Sequence, residues 1–309
     1  MYKYVIKRIL LLFPVVLGVM FIVFTILSLT PGDPARLILG SNASKDAIHQ
    51  LNMQLGYYDP FFVKFFDYVK NIVLHFDFGT SYVTGQPVFT DIVSRFPNTF
   101  WLAVWAVTCM TIIGVPLGII SAVKQYSITD GVAKTLAILF ASFPGFWFGM
   151  LLMLVFSLKF GLLPSSGAYA WFYFILPVAT LALPNSAMLL RLTRSTMLET
   201  VRQDYIRTAR AKGASEKIVI MRHALKNALL PIITIIGTNF GYALGGTILI
   251  ESVFAIPGLG SLVTTSIRAK DIPEVMAAAI FLAVLFLIIM LIVDILYAYI
   301  DPRIRSRYK

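Results

Sequence analysis

Six stretches of this chain run for nineteen or more residues without a single Asp, Glu, Lys or Arg. They lie between Arg8 and Asp33, Arg95 and Lys124, Lys134 and Lys159, Lys159 and Arg191, Lys226 and Glu251, and Glu274 and Asp294. A bilayer core about 30 Å thick needs about 20 apolar residues at 1.5 Å rise each, so each run is long enough to cross it as a helix. In lipid a backbone without internal hydrogen bonds is too costly, which leaves helix as the form for such runs. The expected spans are 9–29, 99–123, 135–158, 171–192, 229–250 and 275–298. Composition agrees: 58% of residues are hydrophobic and 13% charged, against about half and a quarter in soluble domains. Too little polar surface remains for a soluble enzyme, a disordered chain or a collagen-like rod. The expected fold class is all-α, a polytopic membrane protein. Its first run, long and without a small-residue cleavage site, is expected to stay as an anchor.

Six spans put both termini on one side. That side takes 18 of the 26 Lys and Arg, including nine from Arg191 to Lys226 and four from Arg303 to Lys309. The positive-inside bias makes it the cytoplasm. The net charge of +11 is then a topology signal that also suits anionic lipid, and nucleic acid is not an expected partner.

The division expected along the chain is a first transmembrane helix (1–29), an outer helical segment (30–98), a core of five further spans (99–300) and a cytoplasmic tail (301–309). In the outer segment Ser44 caps a helix carrying Ile48, Leu51 and Leu55 and closed by Gly56; Asp59-Pro60 opens a second with Phe62, Phe65, Phe66, Val69 and Val73 in step. Its role is equally a cap over the membrane ends or a docking surface. The basic segment 193–228 is expected to lie on the cytoplasmic face as a helix–turn–helix. Asp204 to Lys212 forms a short helix, Gly213 takes the C′ position, and Ser215 and Glu216 start the next helix. Ala209 and Ala211 let another backbone come close, ringed by donors from Arg207, Arg210 and Lys212. A punctuated segment of this length favours docking over an ordinary loop.

Catalytic signatures are missing. No GxxxxGK[ST], HExxH or GxSxG occurs, and His49, His75 and His223 are too scattered for a metal site. Cys109 is the only cysteine, which excludes an internal disulfide. Asp294 sits near the end of its span and suits packing or snorkelling. Gly237, Gly241 and Gly245 repeat at intervals of four and are expected to pack against a neighbouring helix. Asn239, Tyr242 and Thr247, on the same span, are the candidate pore-lining residues. Pro177 and Pro184 kink the fourth span. A chain of this kind borrows its energy or conducts passively.

Motifs spread over nearly the whole length point to the first choice. They include TPGDP (30–34), LGYYDP (55–60), FGTSYVTGQPV (78–88), RFPNT (95–99), LPSSG (163–167), DYIRTARAKG (204–213), HALKNALLP (223–231), ESVFAIPGLG (251–260) and DPRIR (301–305). In this order the chain resembles the permease subunit of bacterial ATP-binding-cassette importers of the peptide/nickel class, the B-type member of a dipeptide or oligopeptide permease pair. The resemblance implies the type I importer permease fold and alternating access. It implies a second, paralogous permease, two cytoplasmic ATPase subunits that bind the ATP and Mg²⁺, and an extracellular substrate-binding protein. It makes Asp204, Tyr205, Arg207, Thr208, Ala209, Arg210, Ala211, Lys212 and Gly213 the coupling helix that meets the ATPase. Arg207 stands where the general importer form has an acid, and Thr208 where it has an alanine. The chain itself then has no enzymatic activity and no cofactor. The expected cargo is di- or oligopeptide, with nickel chelate or glutathione the alternative; an ATPase-independent channel or carrier is a more distant reading.

Overall fold

A computed structural model describes residues 2–30, 32–40 and 42–300; the tail 301–309, with its DPRIR motif, lies outside the described residues. Helix α1 (Tyr2–Ser28) leads to three short helices, α2 (Pro34–Leu39), α3 (Lys45–Gln54) and α4 (Phe61–Lys70), the last continued by a π turn over Asn71–His75. Then come α5 (Val88–Val123), α6 (Ile128–Ser142), α7 (Gly145–Leu152) with a π segment to Lys159, α8 (Ile175–Val201) and α9 (Asp204–Ala211). The chain ends with α10 (Glu216–Ile218), α11 (Leu225–Gly246), α12 (Ile248–Val253), α13 (Leu259–Ala269) and α14 (Ile272–Ile300). Among the described residues the only β pairing is one bridge between Thr80 and Pro87.

Five helical stretches are long and apolar enough to cross a membrane, and a sixth is a pair broken by 101° between α6 and α7. The single helix expected over 135–158 is therefore two helices meeting at a bend. Pro144 explains the break: it cannot donate to the preceding turn, and it biases Phe143 to the extended conformation seen there (φ −90°, ψ 134°). The bent pair still joins both ends of the molecule. Asp130 near its start bonds Arg194 of α8, where the basic segments gather, and Gly149 near its finish meets Phe254, at the opposite end. Counted as one span, the pair brings the helical stretches long and apolar enough to cross to six among the described residues.

Other boundaries move too. α5 begins at Val88 rather than 99, because Pro87 opens the helix and Pro97 falls inside it. α8 continues past its apolar run to Val201 through Arg191 and Arg194. The expected second helix at Ser215–Glu216 is not separate: from Glu216 to Gly245 the chain is one long span. Hence only residues 202–215 of the expected segment 193–228 stand outside the long helices. Ser44 caps α3 through Ala47 N–H at 3.2 Å, and Gly56 closes it at φ +65°, as expected.

Inside a bilayer, apolar contact between helices is no better than contact with lipid, so close approach at small residues matters most. The most intimate pair is α5 with α8. A Cβ on Gly114 would lie 2.9 Å from the Ser186 carbonyl oxygen, and one on Gly118 only 2.5 Å from Thr193 Cβ. Ion pairing joins the same helices to α6. Fully buried Asp130 accepts from Arg194 Nε at 2.8 Å and Nη2 at 3.0 Å, from Ser121 Oγ at 2.5 Å and from Tyr126 N–H at 3.1 Å. Lys134 Nζ adds a contact at 3.2 Å.

Candidate functional site

The exposed segment at the basic end is built on one buried side chain. In α9, Ile206 is fully buried in a cluster with Ala122 of α5, Met197 of α8 and Val219 and Ala224 at the start of the fifth span. An eight-residue helix has little stability alone, so this wedge seats it across the ends of three long helices. Around it Asp204, Tyr205, Arg207, Thr208, Arg210, Ala211, Lys212 and Gly213 are exposed. Ala209 is half-buried, packed partly against the protein's own core.

The turn after α9 is a Schellman motif. Ala214 N–H reaches the Ala209 carbonyl at 3.3 Å and Gly213 N–H the Arg210 carbonyl at 2.9 Å, with Gly213 at φ +81°. A side chain there has open space, so the need for glycine is conformational. Arg210 then clasps the turn, with Nε 2.7 Å from Glu216 Oε1 and Nη2 3.3 Å from Oε2. This fork-to-fork pair is charge-assisted on both sides. Glu216 had been read only as a helix-starting residue. Arg207 lies 3.7 Å from Asp204, but both are largely exposed and contribute little.

Midway along the molecule α5, α8 and α11 enclose a cavity of about 470 Å³. Met110, Asn185, Met188, Thr238, Asn239 and Tyr242 line it, a set with amides and hydroxyls and no ionised group. It brings together two of the three expected pore residues. Asn239 donates to the Ile235 carbonyl at 2.8 Å, and Tyr242 is 71% exposed, which places it on an open wall. Asn185 escaped notice because it follows Pro184 in a span read for its kink. A larger groove of about 750 Å³ on a different face of α5 is lined by Trp101, Trp105 and Trp171, with Asn98 its polar member.

Thr247, the third candidate, does not line the cavity. It is buried and donates to Glu251 Oε1 at 2.9 Å. The same oxygen accepts from Thr99 at 2.7 Å, while Oε2 accepts Ser261 N–H at 2.9 Å. Thr99 also takes Leu259 N–H at 2.8 Å, and Asn98 donates to the Pro257 carbonyl at 2.9 Å. Glu251 thus caps α13 from a distance, since Gly258 at its start has no side chain to do so; a Cβ there would meet the carboxyl at 2.5 Å. Two motifs 150 residues apart, RFPNT and ESVFAIPGLG, are thereby one knot. Burial pushes the Glu251 carboxyl upward, and its donors pull part of the way back.

Of the repeated glycines, two pack. A Cβ on Gly237 would lie 2.1 Å from Val293, and one on Gly241 2.5 Å from Phe286, both on α14. Gly245 faces open space, contrary to expectation, while its neighbours Ala243 and Leu244 still pack in a cluster with Leu285 and Ile289 of α14. The closer small-residue seam, Gly114 and Gly118, was overlooked in a run read only for length.

Comparison with known proteins places this architecture. Residues 1–103 match the N-terminal family described as "Binding-prot-dependent transport system membrane comp, N-term", and 114–306 match "Binding-protein-dependent transport system inner membrane component". The glutathione transport system permease protein GsiC of Salmonella choleraesuis is 44% identical over 307 residues, 99% of this chain and all of that protein. GsiC of Escherichia coli K12 is 43% identical over the same extent. Among solved structures, the inward-facing MetNI methionine ABC transporter superposes with a TM-score of 0.56 at 16% identity, over 69% of this chain and 97% of that one. An amino acid ABC transporter with histidines gives 0.56 at 17%, over 68% and 94%. At that identity they speak for the fold alone. Matched from end to end by family and by relatives, this chain belongs to the binding-protein-dependent transport system inner membrane components, the multi-pass permease subunits of ATP-binding-cassette importers.

Proposed function

We propose that this permease provides half of the route by which an importer takes up glutathione, a tripeptide, delivered by an extracellular binding protein. The observation that carries the substrate is the 44% identity, over the full length of both chains, to a glutathione transport permease. That moves the reading from general di- and oligopeptides, expected from the motifs, to the stated alternative. Peptides remain the second reading, favoured by a cavity whose polar lining of Asn185, Thr238, Asn239 and Tyr242 demands no particular charge.

In this reading both termini and residues 202–215 face the cytoplasm. The exposed face of α9 sits in a groove of one of two ATPase subunits, which hold the ATP and Mg²⁺. A second, paralogous permease completes the pore. Support comes from the construction of the segment: a short rod, wedged by Ile206, stopped by Gly213 and clasped by Arg210 and Glu216, passes a push on to α5, α8 and the fifth span as one body. A loose loop would absorb it. Uptake of labelled glutathione by the assembled transporter, with excess dipeptide as competitor, tests the substrate. Glutathione uptake that dipeptide leaves intact supports the first reading; dipeptide uptake without glutathione uptake replaces it with the second. Gly213→Pro tests the lever, because proline cannot take φ +81°. ATP hydrolysis should continue while uptake stops, and wild-type coupling at equal expression would remove the assignment.

A further inference from the structure

Helix α4 and its π continuation have three faces. One carries Phe61, Phe65, Tyr68 and Ile72, packed in a cluster with Met20 and Phe24 of α1 and Met276 and Ile280 of α14. A second carries Phe62, Phe66 and Val73, which are 62%, 64% and 70% exposed. At 100° per residue these three fall within a narrow stripe beside the packed face. The third face, across from both, exposes Asp67, Lys70, Asn71 and His75, with Val63 and Leu74 among them. The sequence pattern put Phe62, Phe65, Phe66, Val69 and Val73 in step; of these five only Phe65 is buried.

Depth decides what meets the exposed stripe. The Phe61 and Phe65 rings stand edge-on to Phe21 of α1, with centroids 5.8 and 5.4 Å away, and to Phe24 at 5.3 and 5.5 Å. The apolar span of α1 runs Ile9–Ser28, just long enough to cross. Phe21 lies seven residues short of its end, which is about 10 Å down at 1.5 Å per residue. So α4 lies beside the outer part of the first span instead of above it. At the same level α1 exposes Ile22 and Ile26, apolar and more than half exposed, on the side turned away from Met20 and Phe24. The stripe on α4 stands at the depth where such apolar surface meets lipid.

We propose that α4 and its π continuation form an interfacial helix, lying in one leaflet with Phe62, Phe66 and Val73 against acyl chains. Asp67 and Lys70 then stand among the headgroups. Amphipathic helices of this kind sink their apolar face about 5–10 Å into the headgroup–acyl boundary, the depth that the Phe21 contacts set. The helix ties α1 to α14 through lipid-level aromatic contacts, and it gives the outer segment a membrane role instead of a protein-docking one. The test uses the complete transporter in nanodiscs, with Cys109 replaced by Ala and nitroxide labels at Phe62→Cys, Phe66→Cys, Val73→Cys, Asp67→Cys or Asn71→Cys. Each position is exposed, so labelling leaves the packing intact. Collision with oxygen, which dissolves in acyl chains, should exceed collision with a water-soluble nickel chelate at 62, 66 and 73, and the order should reverse at 67 and 71. Nickel access at 62 and 66 overturns the proposal in favour of a solvent face. Protection from both reagents overturns it in favour of a bound protein.

Discussion

Replacing Ile206 with alanine separates the short helix α9 from the rest of the molecule more cleanly than any other change. Ile206 is the only fully buried residue of the helix, and its neighbours Met197, Val219 and Ala224 are themselves fully buried, so they have little room to collapse into the gap. Truncating a buried isoleucine in such a site costs about 2–4 kcal/mol. Eight residues of helix have no comparable store elsewhere, so the loss falls on local opening. At 1.4 kcal/mol per tenfold, amide protection over 204–211 should drop roughly 30- to 700-fold. Protection in α5 and α8, held by Gly114, Gly118 and the Asp130 ion pair, should change little. Hydrogen exchange with mass spectrometry on the transporter in nanodiscs reads both at once. Ile206→Val, which removes one methyl, is the control and should cost about 0.5–1.5 kcal/mol. Unchanged exchange in 204–211 would refute the wedge, and an equal loss in α5 and α8 would show that α9 is part of the core rather than an appendage to it.

Three further outcomes follow from the packing. Gly241→Leu should sharply reduce folded yield and thermal stability in detergent, since Phe286 already stands where its Cβ would go, whereas Gly245→Leu should resemble wild type; equal damage from both would contradict the close approach of α11 and α14. Asp130→Asn leaves Arg194 largely buried without its carboxylate and should cost about 3 kcal/mol, measured by thermal unfolding. Adding Arg194→Gln should cost much less than the sum of the single losses, and simple additivity would deny the pair. Burial raises the Glu251 carboxyl, so folding favours its neutral form. Its contribution is complete below the ordinary carboxylate range and fades as pH rises through the raised value. Glu251→Gln should flatten that part of the stability–pH profile, and an unaltered slope would show that Glu251 does not titrate there.

Much of the site's chemistry was visible before any coordinates. Gly213 at the end of DYIRTARAK announced its left-handed turn, because a glycine after a helical run with basic residues has a local reason to be there. Ser44 as a cap was equally local. Asn239 and Tyr242 were found through polarity, a rare property in a run of lipid-soluble residues. The errors share a cause. Thr247 looked like Asn239, but its hydroxyl turns to Glu251, a partner fixed by the break between α11 and α12. Gly245 continued a perfect interval, yet nothing among the described residues stands against it.

From sequence alone came the class of molecule, its apolar helices, its basic segments and the short helix that ends at Gly213, since those depend on hydrophobicity, charge and backbone preference along a continuous stretch. Tertiary structure alone decided which small residues are seams, which polar groups face the cavity, how Thr99 and Glu251 meet, and that Phe62 and Phe66 point away from the protein while Phe65 points into it. A helix presents every side in turn, and nothing in a run of apolar residues says which side meets a neighbour and which meets lipid. That choice is made only when the helices pack.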